Sequence, residues 1–319
     1  MKTSFQLSAG IALLTVLALS SCKKENPLQP PIAGKTTYPS VSELLGGIAP
    51  VMQVNTVDAV AGGSFTSPQG TKVSIPPNAF VFTNGAAVTG TLKVEFKDLY
   101  RKSDMLFADA GTVMYTGAPL KSGGEFFIRV SKGGQTLIPA PGKKVTVVQP
   151  LVAALDTKMT PFLKKPDTIR GSGSWWPSNQ DTVLPSATGY VFSLYSYGYP
   201  VDSGSWCNSD NSIYFSAYPQ TSLTLSATDS TTRYGTNVFL LFKNITAMVH
   251  VYETGFYSGT FTYASAPSGL PCTVVAVGAK NGVLYSSFTP ITIGNNQTVN
   301  FTLSPTTVTA FKAAVKALD

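Results

Sequence analysis

The feature that most constrains the fold of this chain is a series of short runs in which apolar and polar residues alternate, each ended by a turn-forming residue. Residues 92–96 alternate in this way, which is the pattern of a strand with one buried and one wet face. An earlier run stops at Pro76 and Pro77, because proline cannot donate to a strand ladder. The pattern predicts an all-β protein with two β-sandwich domains.

The composition agrees with a folded, exported, β-rich protein. Charged residues make up only 12% of the 319 residues, whereas 43% are apolar and 11% aromatic, too many for a disordered chain. The formal net charge is +7, but the lysines are scattered rather than interleaved with aromatic residues in a stripe. We therefore expect no nucleic-acid partner.

The first 22 residues have the layout of a cleaved secretory signal. Lys2 is followed by an apolar run at residues 9–19, which is shorter than the roughly 20 residues that a membrane span needs. The run ends in Leu19-Ser20-Ser21-Cys22. This ending resembles the lipobox of bacterial lipoproteins, which implies a signal peptide at 1–21 and a lipidated Cys22 at the mature N-terminus.

A tether is expected between the anchor and the folded part, within residues 22–53. Pro27, Pro30 and Pro31 forbid a regular helix or strand at its start. Residues 41–45 could form one helical turn, begun by Ser40 or Ser42 and ended by a Gly-Gly pair.

Residues 54–150 are predicted to form the first sandwich. They contain Gly62-Gly63-Ser64-Phe65 and the phrase Gly-Thr-Lys-Val-Ser-Ile-Pro-Pro-Asn-Ala-Phe at 70–80, followed by a strand at 90–96. This stretch resembles the ZU-type domain of ankyrins, netrin receptors and Bacteroidetes-type lipoproteins. Such domains are interaction modules, so the resemblance implies no catalytic residue.

A connector at 151–188, rich in proline and glycine, is expected to lead into a second sandwich at 189–304. Residues 261–303 resemble a carboxypeptidase-regulatory or transthyretin-like sandwich, with an Asn281-Gly282 hairpin. Both halves in this order resemble a Bacteroidetes-type outer-membrane lipoprotein family of unassigned function. Residues 305–319 should form a short C-terminal helix, capped by Ser304 and packing through the face at Val308, Phe311, Val315 and Leu318.

Cys207 and Cys272 are the cysteines that remain beside Cys22. Outside the cytoplasm they can form a disulfide, and the alternative is that each is a small buried hydrophobic side chain.

His250 is the single histidine and lies in an apolar run, which favours a structural role over that of a catalytic base. The motifs of hydrolases, phosphate-binding loops and zinc sites do not occur in the sequence, so no catalytic residue, metal or cofactor is predicted.

Paired carboxylates are the catalytic option that composition leaves open, because a glycosidase needs only two acids. Two groups lie close together in sequence: Glu95, Asp98 and Asp104, and then Asp202 and Asp210. The favoured interpretation is that Glu95 faces water while Asp98 and Asp104 shape a loop. Residues 202–211 are also rich in oxygen ligands for Ca²⁺ but lack the spacing of a known calcium loop, and a hydrogen-bonded turn is favoured.

Aromatic residues give the clearest hint of a ligand. Six of them could form a platform for sugar or peptide: Trp175, Trp176, Tyr195, Tyr197, Tyr199 and Trp206. Core and inter-domain packing is the alternative, and the favoured, interpretation.

Three short segments resemble the Asp-Ser/Thr-apolar acceptor motif of Bacteroidetes-type O-glycosylation. Their acceptor residues would be Thr168, Thr182 and Ser230.

Together these features predict a lipid-anchored cell-envelope protein, non-enzymatic, that acts as a binding or structural module. The alternative is a surface glycan- or peptide-binding lipoprotein, and a remote one is a carboxylate-based glycoside hydrolase. The expected partners are the membrane, through the lipid, and a glycan or an envelope protein. The expected location is the outer membrane, on the periplasmic or surface face, with the surface slightly favoured.

Overall fold

A computed structural model describes residues 40–166, 173–197, 204–229, 235–255 and 258–319. The all-β prediction is confirmed, because strands dominate and the helices are few and short. Among the strands in these ranges, every pair is antiparallel except one in the second sandwich.

The first sandwich has a larger sheet that also carries a short strand β7 (Gln135–Thr136) on β6. Its six main strands, in spatial order, are β1 (Gln53–Asp58), β5 (Thr91–Leu99), β6 (Lys121–Lys132), β14 (Ser205–Asn211), β10 (Thr160–Lys165) and β11 (Ser174–Pro177). The facing sheet consists, in spatial order, of β12 (Thr182–Ser186), β13 (Gly189–Leu194), β9 (Val145–Pro150), β3 (Lys72–Ile75) and β2 (Gly63–Thr66). A small ribbon pairs β4 (Phe80–Val81) with β8 (Ile138–Pro139).

The second sandwich also has two sheets. Its larger sheet consists of β17 (Met248–Val251), β16 (Thr236–Phe242), β19 (Pro271–Lys280), β20 (Val283–Thr292) and β22 (Ser304–Thr306). The smaller contains β18 (Thr260–Pro267), β15 (Gln220–Ala227) and β21 (Gln297–Phe301), and β15 and β21 run parallel. The predicted hairpin is confirmed between β19 and β20, where Asn281 and Gly282 both take positive φ, as a tight turn of this hand requires.

The described part of the chain also contains three α-helices: α1 (Val41–Ile48), α2 (Lys102–Phe107) and α3 (Val308–Lys316). Ser40 caps α1 through a bond from the Glu43 N–H, and the helix continues past the glycines that were expected to end it. Thr307 caps α3, so the predicted cap at Ser304 is wrong, because Ser304 lies in strand β22.

The predicted domain boundaries are wrong in one respect. The expected connector at 151–188 contains β10, β11 and β12, and β13 and β14 after it pair with β9 and β6. The first sandwich therefore extends to Asn211. The connector was predicted partly from its prolines. Two of them, Pro177 and Pro185, lie on the edge strands β11 and β12, where a missing N–H costs no ladder bond, so they are compatible with strands.

Each sandwich has its own apolar core, and a third core is shared between them. The shared core contains Leu44 of α1, Leu106 of α2, Phe311 of α3 and Phe239 of β16. The predicted apolar face of α3 is confirmed, since Phe311 and Val315 are fully buried there. The three helices thus fill the space between the two sandwiches.

Candidate functional site

The six predicted platform residues do not share one surface. Trp175 and Tyr197 are buried, whereas Tyr195 is exposed over 36% of its surface. Strand β13 ends at Leu194, so Tyr195 and Tyr197 follow the strand and are not aligned on one of its faces. Trp206 packs against the ring of Phe127, with centroids 5.5 Å apart.

The sixth residue, Tyr199, lies outside the described residues. The platform as predicted is therefore wrong, and its buried members support the packing alternative for those positions.

A smaller aromatic surface remains around Trp176. Its ring stacks on that of Tyr115, with centroids 4.0 Å apart and planes 14° from parallel. The ammonium of Lys165 lies 4.9 Å from the centroid of the Trp176 ring. Tyr115 is 43% exposed, and its backbone N–H donates to the Trp175 carbonyl, which aligns the pair. Tyr115 was not predicted as a platform residue, because it lies 61 positions from Trp176 in sequence and no local pattern links the two rings.

The segment 109–122, called here the junction segment, connects the two sandwiches. The Trp175 indole Nε1–H of the first sandwich donates to the Gly111 carbonyl at 2.7 Å. On the other side, the Thr112 N–H donates to the Met248 carbonyl at 2.7 Å and the Ser122 N–H to the Thr246 carbonyl at 2.8 Å. One short segment is therefore hydrogen-bonded to both bodies.

Two side-chain contacts reinforce this junction. Lys102 of α2 donates through Nζ to the Phe242 carbonyl at 2.7 Å. Ser103 donates from its N–H and its hydroxyl to the two carboxylate oxygens of Asp319, at 2.8 and 2.6 Å. Helix α2 is thereby fixed to the second sandwich and to the end of α3.

His250 is held at the same junction. Its Nδ1 lies 2.8 Å from Asp109 Oδ1, and its ring lies 4.5 Å from that of Phe239 and 4.4 Å from that of Tyr252. Burial raises the pKa of Asp109, but the hydrogen bond and the charge of His250 outweigh it and hold that pKa below its usual value. These contacts orient His250 as part of the packed junction.

The carboxylates that were grouped from sequence are separated in the structure. Glu95 is buried and pairs with Arg129 and with Lys93, so the expectation that it faces water is wrong. Asp98 lies in strand β5 rather than in a loop, accepting hydrogen bonds from the Ser67 and Thr71 hydroxyls. Asp104 lies in α2, and Asp202 is outside the described residues. The three of these acids that the structure describes form no common site.

A different pair of acids was missed. Glu125 of β6 and Asp210 of β14 are both completely buried. Burial raises the pKa of Glu125 to about 8, and burial together with the charge of Glu125 raises that of Asp210 well above its usual value. Residues 205–211 form strand β14, so the turn expected there is wrong. The sequence did not indicate that Glu125 belongs to an acid pair, because Asp210 lies more than eighty residues further along the chain.

The two cysteines are free thiols in separate cores. Cys207 lies in the core of the first sandwich and Cys272 in that of the second. The disulfide alternative is therefore wrong, and the small-hydrophobe alternative is confirmed. Burial raises the pKa of the Cys272 thiol to about 12 and that of Cys207 well above its usual value, so both thiols are unreactive in the folded state.

The predicted modification sites fall mostly outside the described residues. Cys22, Thr168 and Ser230 lie there. Thr182 is described and exposed at the start of β12. Asp181 before it is buried and accepts hydrogen bonds from the Ser178 hydroxyl and the Tyr195 N–H, so its carboxylate has a structural role.

A shallow groove lies on the outer face of β1, β5 and β6. It is lined by Thr56, Lys93, Arg129 and Lys132 among others. Glu95 beneath it pairs with two of these cations, and Lys132 donates to the Thr89 carbonyl. The single Glu95 carboxylate therefore offsets only part of the positive charge of the groove.

No family model and no curated protein sequence matches this chain. In the described part of the chain, none of the helices has the length and apolar character that crossing a membrane requires.

Proposed function

We propose that this protein is a lipid-anchored, non-enzymatic module of the cell envelope, held at the outer membrane through Cys22. The sequence at residues 1–22, with its short apolar run and its Leu-Ser-Ser-Cys ending, supports the anchor. The resemblance to the ZU-type and carboxypeptidase-regulatory-like domains of Bacteroidetes-type lipoproteins is part of the same proposal. The membrane is the first partner, and an envelope protein or a glycan is the second.

The junction between the two sandwiches is the observation that best supports a structural or binding role. The junction segment bonds to both bodies, and the shared core buries apolar side chains from both around three helices. An inter-domain contact of this kind suppresses relative motion, since hinge movement would expose the shared apolar surface. A rigid body on a tether suits presentation of a surface to a partner.

The buried acid pair supports the non-enzymatic part of the proposal. A glycoside hydrolase needs two carboxyl groups that flank a bound sugar in an open cleft. Glu125 and Asp210 are both completely shielded from solvent, so a sugar does not reach them without opening the junction.

Removing the anchor tests the proposal. We expect wild-type protein to incorporate an alkyne-labelled fatty acid and to fractionate with the outer membrane. Cys22→Ser should lose the label and leave that fraction. Cys207→Ser is the matched control, because that cysteine is buried in the first core and should not affect labelling. Wild-type protein without label, in the soluble fraction, would contradict the proposal.

The exposed Tyr115–Trp176 pair favours a second candidate, a glycan- or peptide-binding lipoprotein. Stacked rings with an exposed face bind sugars and peptides through their apolar surface. In affinity electrophoresis through polysaccharide gels, we expect wild-type protein to be retarded and Tyr115→Ala to lose at least half of that retardation. Tyr195→Ala is the control, since Tyr195 is similarly exposed but lies outside the pair. Equal mobility of all three proteins on every polysaccharide would reject this candidate.

A further inference from the structure

Two acidic side chains lie buried on the outer face of the larger sheet of the first sandwich. Glu125 is in register with Asn208, and Asp210 pairs with Ser122 across a β-bulge. The intervening Phe126 belongs to the first core, so Glu125 points to the opposite face of the sheet. That face is covered where the Ser122 N–H bonds to the second sandwich.

The hydrogen bonds around these acids leave three oxygens unused. Glu125 Oε1 accepts from Asn208 Nδ2 at 3.3 Å, which is a long bond. Within the described part of the chain, Glu125 Oε2 and both carboxylate oxygens of Asp210 have no hydrogen-bond partner. The Ser122 hydroxyl lies beside Asp210 and lowers the pKa of that acid, but it donates its hydrogen bond to Asn208 Oδ1 at 2.7 Å. Buried carboxylate oxygens are almost always satisfied, so three unused ones at one place require an explanation.

The positive charge near the pair does not balance two carboxylates. Lys164 lowers the pKa of Glu125, but it brings a single charge. Lys102 is also buried, but its ammonium donates to the Phe242 carbonyl. Two ionised acids would therefore carry an uncompensated negative charge at a fully buried position, which is strongly unfavourable.

We propose that Glu125 and Asp210 together bind one Ca²⁺ ion at the junction of the two sandwiches. The carboxylates supply the three unused oxygens, and Ser122 and Asn208 offer further oxygen donors beside them. No group of three or more His, Cys, Asp and Glu side chains occurs among the described residues, so the remaining ligands are hydroxyl, amide or backbone oxygens.

The all-oxygen donor set selects the metal. Zn²⁺ prefers nitrogen and sulfur ligands, and Mg²⁺ keeps several of its waters, for which a fully buried site has little room. Ca²⁺ accepts a flexible set of carboxylate, amide and hydroxyl oxygens and loses its waters readily. The ion would tie β6 to β14 directly beneath the contact between Ser122 and the second sandwich, so it would stabilise the junction.

Metal content and melting temperature of the full-length protein in detergent test this proposal. After equilibration with about 1 mM Ca²⁺, typical of weak extracellular calcium sites, we expect close to one Ca²⁺ per chain by mass spectrometry of the metal. We also expect a melting temperature several degrees above that in EDTA. Glu125→Gln and Asp210→Asn preserve shape, and each should weaken Ca²⁺ binding at least tenfold. Asp104→Asn, at an acid outside the cluster, should bind like wild type.

One pattern of results would overturn the proposal. If the protein holds no Ca²⁺ and EDTA leaves its melting temperature unchanged, the pair retains protons instead. The acids would then destabilise the fold increasingly as the pH rises from about 4.5 toward about 8, because their protons are lost at higher pH in the folded state than in the unfolded state. In that case Glu125→Gln should raise the melting temperature at pH 8 without any metal.

Discussion

Replacing Trp175 with alanine is expected to lower the free energy of unfolding by about 3–5 kcal/mol, the usual range for removing a large buried aromatic side chain. Trp175 is fully buried against Leu120 and Phe162, and its indole N–H bonds to Gly111 in the junction segment. The substitution therefore leaves a cavity and an unpaired carbonyl at the point where β11 meets the junction. Chemical denaturation followed by far-UV circular dichroism measures the loss.

The adjacent Trp176 gives a matched control. It is only half-buried and stacks on Tyr115 at the surface. Trp176→Ala should cost about 1 kcal/mol, the order expected for one aromatic pair. Equal losses for both variants would show that Trp175 is not an anchor of the junction.

Replacing Gly189 with alanine is expected to prevent normal folding of the first sandwich. An added Cβ would lie 1.7 Å from the Gln149 carbonyl oxygen, which is a backbone atom of the neighbouring strand and cannot rotate away. Relief requires separation of β13 from β9. We expect a loss of at least about 4 kcal/mol, or failure to accumulate as folded protein.

Gly142→Ala separates this clash from the cost of positive φ alone. Gly142 has φ of +73°, but nothing lies within 4 Å of the added Cβ. It should cost about 1–2 kcal/mol, the strain of a left-handed alanine. Denaturation midpoints and yields of folded protein compare the two variants. Similar midpoints would mean that β13 and β9 are not paired as described.

Much of the fold could be predicted where a structure depends only on neighbouring residues. Alternation of apolar and polar residues at 92–96 indicates a strand with one face toward a core, and Asn281-Gly282 indicates a tight turn whose backbone takes positive φ. The strand and the hairpin are both confirmed, but the expected wet face of the strand is not, because Glu95 on that face is buried. The prolines at 177 and 185 were misread because their effect depends on whether a strand is at the edge of a sheet, which is a property of the whole sheet.

The site was less predictable, since its contacts join distant parts of the chain. Tyr115 meets Trp176 only because the junction segment pairs with β11. Glu95 looked solvent-facing by alternation, yet Arg129 from the next strand covers it. Glu125 and Asp210 come together through the pairing of β6 with β14. Burial of a polar residue by another element leaves no trace in the local sequence.

We propose above that this rigid two-sandwich body is anchored by lipid at Cys22. Mass spectrometry of the N-terminal peptide, from protein purified from the membrane fraction, tests this directly. We expect a mature chain that begins at Cys22 and carries a fatty-acylated lipid on that residue, with residues 1–21 removed. A chain that retains residues 1–21, or one that begins elsewhere with an unmodified Cys22, would contradict it.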